Sequence, residues 1–412
     1  MILNYICILF FALSFVVALY KWLVLGDVEV FTKVTTSIFD NAKTSAEIAI
    51  GLVGTMTFWL GMMNIGHKAG LIKVFSGAVS PFFSKLFPSV PKNHPAMGSV
   101  MMNFSANMLG LDNAATPIGL QAMQELQSLN TNEDKATATN AQIMFLVLNT
   151  AGITLIPTSV MAIRLANNAA NPADVFIPTL LGTLVSFTSG LIAVAFYQKI
   201  NLFKPAILSF FALMAAIVLG LYYWLGHLPA AEIGAKVSLL GSLILFGVLT
   251  SFMVMGFLKK VNVYDAFIEG AKGGLTTSLG IIPYLVIILV AVGCFRATGC
   301  MDFLMNGIGS LVVFCGLNAD FVPALPVGLM KTLSGGGARA LMIDVMKTYG
   351  ADSFQGRLAC IIQGSTETTF YVLAVYFGSV GITNARHAVV CGLIADFVGL
   401  IAAIFIGYAF FH

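Results

Sequence analysis

Charge is what this sequence has least of. Asp, Glu, Lys and Arg make up only 9% of its 412 residues, against about 25% in soluble domains. With 58% hydrophobic residues and a mean hydropathy of +0.92, that scarcity excludes a soluble globular chain and marks an integral membrane protein, with the lipid bilayer as its first partner. A basic stripe is missing too: the net charge is +3 and the lysines are scattered, so no nucleic acid is expected as a partner. The six cysteines lie in or beside apolar runs without a C-x-x-C pair, and the five histidines have no ligand spacing, so neither a disulfide frame nor a metal site is indicated. No G-x-S-x-G elbow, paired soluble carboxylates or G-x-x-x-x-G-K-[ST] loop appears, so the expectation is a non-enzyme without a cofactor.

Long apolar runs are what is there. The opening MILNYICILFFALSFVVALYKW lacks a basic leader and a small-x-small cleavage site, and reads as a retained helix whose Lys21 end faces the cytoplasm. Further runs fall near 47–65, 141–165, 174–197, 205–225, 237–257, 276–295, 358–379 and 387–411, each near the ~20 residues that cross a bilayer core. Two stretches, 95–125 and 307–347, are apolar but broken by Gly, Pro and Asn, and read as re-entrant hairpins. Non-helical backbone at membrane depth persists only where protein or a water-filled cavity satisfies its N–H and C=O groups, so such breaks point to a site. Lys199, Lys204, Lys259, Lys260 and Lys272 place their loops in the cytoplasm; for the 66–94 stretch the lysines point to the cytoplasm and the count from the first helix points outside, and an amphipathic interfacial segment is the third reading left open.

The chain also repeats itself. GHKAGLIKVF at 66–75 pairs with FRATGCMDFL at 295–304, MMNFS at 101–105 with MKTLS at 330–334, and FLVLNTAGITLIPTSV at 145–160 with LACIIQGSTETTFYVL at 358–373; the second pair sets Ser105 against Ser334, and the third, shifted by one residue, sets Asn149 against Gln363. Duplicated halves with broken helices at matching positions are a pointer to a transporter's midplane site.

NHPAMGSVMMNFSANMLGLDNAATPIGLQAMQELQ and FLVLNTAGITLIPTSV resemble spore maturation protein A; MKTLSGGGARALMIDVMKTYGADSF and QGSTETTFYVLAVYFGSVGITNARHA resemble spore maturation protein B. The resemblance covers nearly the whole chain as a fusion, with an A-like half at 1–200 and a B-like half at 201–412. Both families fall in the nucleoside recognition, or gate, domain group. That kinship implies an all-α, polytopic transmembrane fold of two related halves, hairpins meeting broken helices about a substrate, and elevator-like movement. The second hairpin departs from the group's usual SGSGA, reading Ser334-Gly335-Gly336-Gly337-Ala338 and then Arg339.

The candidate site follows from the polar residues in these breaks. Gln363, Thr366 and Glu367 at i, i+3 and i+4 would share one helical face, with Ser365 and Thr368 beside them. An ionised Glu367 facing lipid would be costly, so that face looks inward, to a cavity or to a packing partner such as Arg339. Thr150, Thr154 and Pro157 would share a face of the matched helix beside Asn149, kinked where Pro157 cannot bond the Ile153 carbonyl. Asn103 and Asn107 share a face in the first hairpin, and Asn113, Thr116 and Pro117 mark its break. The Ser334–Ala338 stretch, as a glycine turn between Lys331 and Arg339, offers unhindered N–H groups to an anionic group. Glu367 and Asp396 are candidates for coupling to a cation or proton. The expected function is transport of a small polar or anionic metabolite by ion-coupled alternating access in the bacterial cytoplasmic membrane, with self-association into a homo-oligomer. The alternative is a non-transporting membrane component of envelope or spore-type maturation.

Overall fold

The computed structural model describes residues 2–91, 94–108, 112–155, 157–227 and 230–412. Among them the regular structure is helical. In chain order the helices are α1 (Ile2–Leu23), α2 (Val30–Lys68), α3 (Leu71–Leu86), α4 (Pro95–Met108), α5 (Asp112–Ser128), α6 (Asn140–Thr150), α7 (Thr158–Ala166), α8 (Phe176–Gln198), α9 (Pro205–Gly226), α10 (Ala230–Leu258), α11 (Val263–Ala297), α12 (Cys300–Phe314), α13 (Leu325–Lys331), α14 (Gly335–Tyr349), α15 (Phe354–Ser365), α16 (Thr369–Gly378) and α17 (Ala388–Phe411). The protein is an all-α polytopic membrane protein. By length and apolarity, α2, α8, the α15–α16 pair and α17 can each cross a bilayer, as can α11 and α12 taken as one span bent by 75°. Helices α1, α9 and α10 carry shorter apolar stretches.

The repeat is built into this order. A long helix, a short helix, a two-helix hairpin, a broken helix and a closing helix occur as α2, α3, α4–α5, α6–α7 and α8, and again as α11, α12, α13–α14, α15–α16 and α17. The long pair α2 and α11 packs along its length because small residues let the backbones meet. A Cβ added at Gly270 would run into the Leu60 carbonyl, and one at Gly274 into the Thr57 backbone. Gly270 and Gly274 thus form a small-xxx-small contact, a motif that the reading of the sequence passed over.

Loop contacts fix how the halves are related. The α5–α6 loop meets the α16–α17 loop, with Ala138 N–H donating to the Asn384 carbonyl (3.0 Å) and Thr383 N–H to that of Ala136 (3.0 Å). At the other end, the α14–α15 loop meets the α7–α8 loop: Arg164 donates to the Ala351 carbonyl (2.7 Å), and Ala170 N–H to Asp352 Oδ2 (2.8 Å). Since α6–α7 runs from the first meeting to the second, equivalent loops of the two halves lie at opposite ends, which is an inverted repeat.

Several expectations change. The 141–165 run is not one helix: α6 stops at Thr150, and residues 151–155 and 157 are non-helical before α7, so Thr150, Thr154 and Pro157 share no helical face. Likewise α15 stops at Ser365 and Thr366 is extended (φ −140°, ψ 168°), so Gln363, Thr366 and Glu367 do not line one face. Three threonines around Glu367 favour this, since β-branched residues are poor helix formers. The second hairpin begins at Val322, not 307, because residues 307–314 complete α12, and the chain turns away two residues further on at Gly316 (φ +77°). The first hairpin breaks after Met108, so Thr116 and Pro117 fall inside α5. Residues 109–111 and the Asn113 side chain lie outside what is described. Ser105 is inside α4, bonded to the Met101 carbonyl (2.8 Å), whereas Ser334 caps α14; the MMNFS–MKTLS match is not a structural equivalence. In the 66–94 stretch, α3 buries Phe82, Phe83 and Leu86 and stacks Phe82 on Phe210 of α9 (4.2 Å).

Candidate substrate site at the crossed helix breaks

The two broken helices cross at their breaks and bond to each other: the Glu367 N–H donates to the Thr150 carbonyl at 2.8 Å. Each break also holds the tip of its own half's hairpin. Leu155 N–H donates to the Met108 carbonyl at the end of α4 (2.8 Å), and Phe370 N–H to the Thr332 carbonyl between α13 and α14 (3.1 Å). Backbone groups freed by ending α6 and α15 early are thereby satisfied by one another, as membrane depth requires.

On the first-half side, amides form a ladder. Asn103 donates to the Ala115 carbonyl across the hairpin (2.8 Å), Asn107 donates to Asn149 Oδ1 (2.8 Å), and Asn149 donates to the Phe145 carbonyl (2.8 Å). The Tyr376 hydroxyl from α16 joins them at 3.4 Å from both Asn103 Nδ2 and Asn149 Oδ1. Tyr376 was not singled out in the sequence, where it reads as one more aromatic in an apolar run.

On the second-half side, the glycines form the first turn of α14 rather than a tight turn. Ser334 caps it by accepting from Gly337 N–H (3.1 Å). The Gly335 and Gly336 N–H groups have no intrahelical acceptor, being first-turn donors. Thr368 stands close by: a Cβ at Gly335 would lie 2.9 Å from its Oγ1. Arg339 projects from the same face one turn on, leaning back toward the N-terminus as helical side chains do. Its Nε is buried and unbonded, and the guanidinium has no hydrogen-bond or ion-pair partner among the described residues. Lys331 and Arg339, expected as equal flanks, therefore differ. Lys331 is the partner of Glu367, at 3.8 Å, its side chain 6% exposed against 50% for the glutamate. That pair replaces the expected Arg339–Glu367 contact.

Gln363 is buried on α15 with Oε1 unbonded, and Ser365 donates to the Ile361 carbonyl (2.6 Å) while packing on Gly182 of α8. Thr154 is half-buried in the first break. Asp396, midway along α17, accepts from Thr369 Oγ1 (2.7 Å), not from Arg386 or His387. The structure thus brings Asn103, Asn107, Asn149, Thr150, Glu367, Thr368 and the Ser334–Gly337 cap together around the crossing. Thr369 and Tyr376 are its additions. Outside the spans, His387 stacks on Tyr197 (5.0 Å between centroids), and burial, then the Arg386 charge, lowers its pKa. Among the described residues no group of three or more His, Cys, Asp or Glu could hold a metal ion.

Inverted halves, crossed helix breaks and hairpin tips docked into them define a class of polytopic membrane protein built from two interrupted repeats. The nucleoside recognition family, called Gate, matches residues 49–166 and 278–383, two regions that each contain a hairpin and a break. The chain belongs to this family. It is 45% identical to spore maturation protein A of Bacillus subtilis (strain 168) over 153 residues, 37% of this chain and 77% of that protein. It is also 43% identical to spore maturation protein B of the same organism over 159 residues, 39% of this chain and 88% of that protein.

Proposed function

We propose that this protein is a non-enzymatic transporter that carries a small, polar, anionic solute across the bacterial cytoplasmic membrane by ion-coupled alternating access. The observation that carries the reading is Arg339, a half-buried guanidinium with no partner among the described residues, beside the open first turn of α14. A charge kept at this depth without a partner is costly unless a ligand supplies one. Two first-turn N–H groups and a planar fork suit a carboxylate or phosphate. Hairpin tips that bond to the breaks through single backbone hydrogen bonds supply a means of opening one side at a time.

The test is uptake into liposomes holding the purified full chain, comparing an anionic solute with its neutral analogue. Uptake of the anion above protein-free liposomes, lost in Arg339→Ala, supports the reading; no flux for any solute of a broad anionic panel sinks it. A membrane component of maturation without transport is the second reading, favoured by the names of the two Bacillus proteins.

A further inference from the structure

We infer that Asp396 and the hydroxyls around it form a monovalent cation site behind the crossing. Asp396 is 5% exposed; its Oδ2 accepts from Thr369, while Oδ1 is buried with no hydrogen-bond partner. A buried carboxylate oxygen left bare inside a bilayer is costly.

Its surroundings are oxygen-rich. Gly392, Asp396 and Gly399 lie at i, i+4 and i+7, on one face of α17. A Cβ at Gly392 would meet Thr369 Cγ2 at 2.8 Å and Thr150 Oγ1 at 3.6 Å. One at Gly399 would meet Thr366 Cγ2 at 2.8 Å and Ser186 Cβ at 3.0 Å. The carboxylate therefore sits between two glycines that admit four hydroxyl residues, drawn from the end of α6, from α8, from the second break and from the start of α16. The Thr150 hydroxyl donates its proton to the Val147 carbonyl (3.0 Å) and that of Ser186 to the Ala395 carbonyl (3.1 Å). Hydroxyls whose protons are committed elsewhere present lone pairs, which suit a cation and not an anion.

The charged groups at the second break are Lys331 and Glu367. They pair with each other and sum to no net charge, leaving Asp396 as the unbalanced negative charge. A proton would neutralise it too, but uses one acceptor, whereas a hard cation uses several oxygens at once, and several are gathered here. The site's residues span both breaks, so a bound ion ties the first half's Thr150 to the second half's Thr369 and favours the crossed arrangement. Its part in coupling rests on the transport reading; its existence does not.

The experiment is thermal unfolding of the purified full chain, followed by tryptophan fluorescence, in sodium, potassium and choline chloride at matched ionic strength and fixed pH. The expected result is a saturable rise in Tm with sodium or potassium, absent with choline and lost in Asp396→Asn. Thr150→Val should raise the half-saturating cation concentration by about tenfold. Equal Tm in the three salts, a full cation response in Asp396→Asn, or a response that follows pH and ignores both cations overturns the site. If Asp396→Asn does not fold, Thr150→Val decides, since an unchanged half-saturation point is equally fatal. Flux in liposomes is read separately: a cation response without flux removes the transport reading and keeps the site, and flux without a cation response does the reverse.

Discussion

Glu367 carries the sharpest consequence at the scale of single residues. Its backbone joins the two halves through Thr150, and its side chain neutralises a Lys331 that is nearly buried. Glu367→Gln preserves size and hydrogen bonding but strands the lysine charge. Because the glutamate is half-exposed, the loss of folding stability should stay within about 1 kcal/mol, while flux should fall at least tenfold; unchanged flux at equal protein level would return Glu367 to a packing role. Arg339→Lys should recover only part of the anion selectivity lost in Arg339→Ala, since an ammonium cannot offer the planar fork. Competition between the anionic solute and its neutral analogue reads this directly. Tyr376→Phe deletes the hydroxyl between Asn103 and Asn149 and should cost about 0.5–1.5 kcal/mol, seen as a lower unfolding midpoint with anion selectivity retained. The amides and threonines of the breaks were legible because polar residues inside apolar runs need a reason. Tyr376 was not, since a phenol is at home in either setting.

At the scale of elements, the helix breaks are where the sequence was informative but incomplete. Polar clusters at 149–157 and 363–368 marked the two places where helix stops, yet helical periodicity was carried through them. A hydrogen bond between the halves joins the ends of α6 and α15, and no local pattern contains that partner. The glycine hairpin shows the same limit. Gly336→Val places a β-branched side chain on the first turn of α14, beside the open N–H groups, and should abolish binding of an anion and leave the neutral analogue unaffected; equal losses would mean a folding defect. The α2–α11 contact makes a different prediction. A side chain at Gly274 meets the Thr57 backbone, which cannot rotate away as a side chain would. Gly274→Val should therefore destabilise the protein by about 1–3 kcal/mol or more, measured as a lower yield of monodisperse protein and a lower Tm, whereas the same change at the uncrowded Gly220 of α9 should be tolerated.

Across the whole molecule, the ends of the inverted repeat are held by unlike means. One meeting of loops is mostly backbone, through Ala136, Ala138 and Asn384, with Arg386 donating to the Ala138 carbonyl (3.0 Å). The other is ionic: Arg164, fully buried, reaches Asp174 at 2.8 Å and Asp352 at 3.0 Å, and Arg357 reaches Asp174 at 2.7 Å. Removing one partner of such a set leaves an uncompensated buried charge, at a cost of about 3–5 kcal/mol. Asp174→Asn should accordingly loosen that end, and hydrogen exchange should rise in 166–175 and 350–353 before it rises in the loops at the opposite end. Arg164 stands alone in MAIRLANNA, and a lone cation in an apolar run was the signal available for this cluster.

The sequence by itself determined that the chain lives in a bilayer, that it is helical and duplicated, and where its helices are interrupted, because hydropathy, length and polar residues at membrane depth are local properties. Tertiary structure decided the rest. It bonded the two breaks to each other, inverted one half against the other, gave Lys331 to Glu367, left Arg339 with no partner among the described residues, and bonded Asp396 to Thr369 while packing its flanking glycines on Thr150, Ser186 and Thr366. Each of these depends on groups far apart in the chain satisfying one another where water cannot, and a linear pattern records the demand for a partner without naming it.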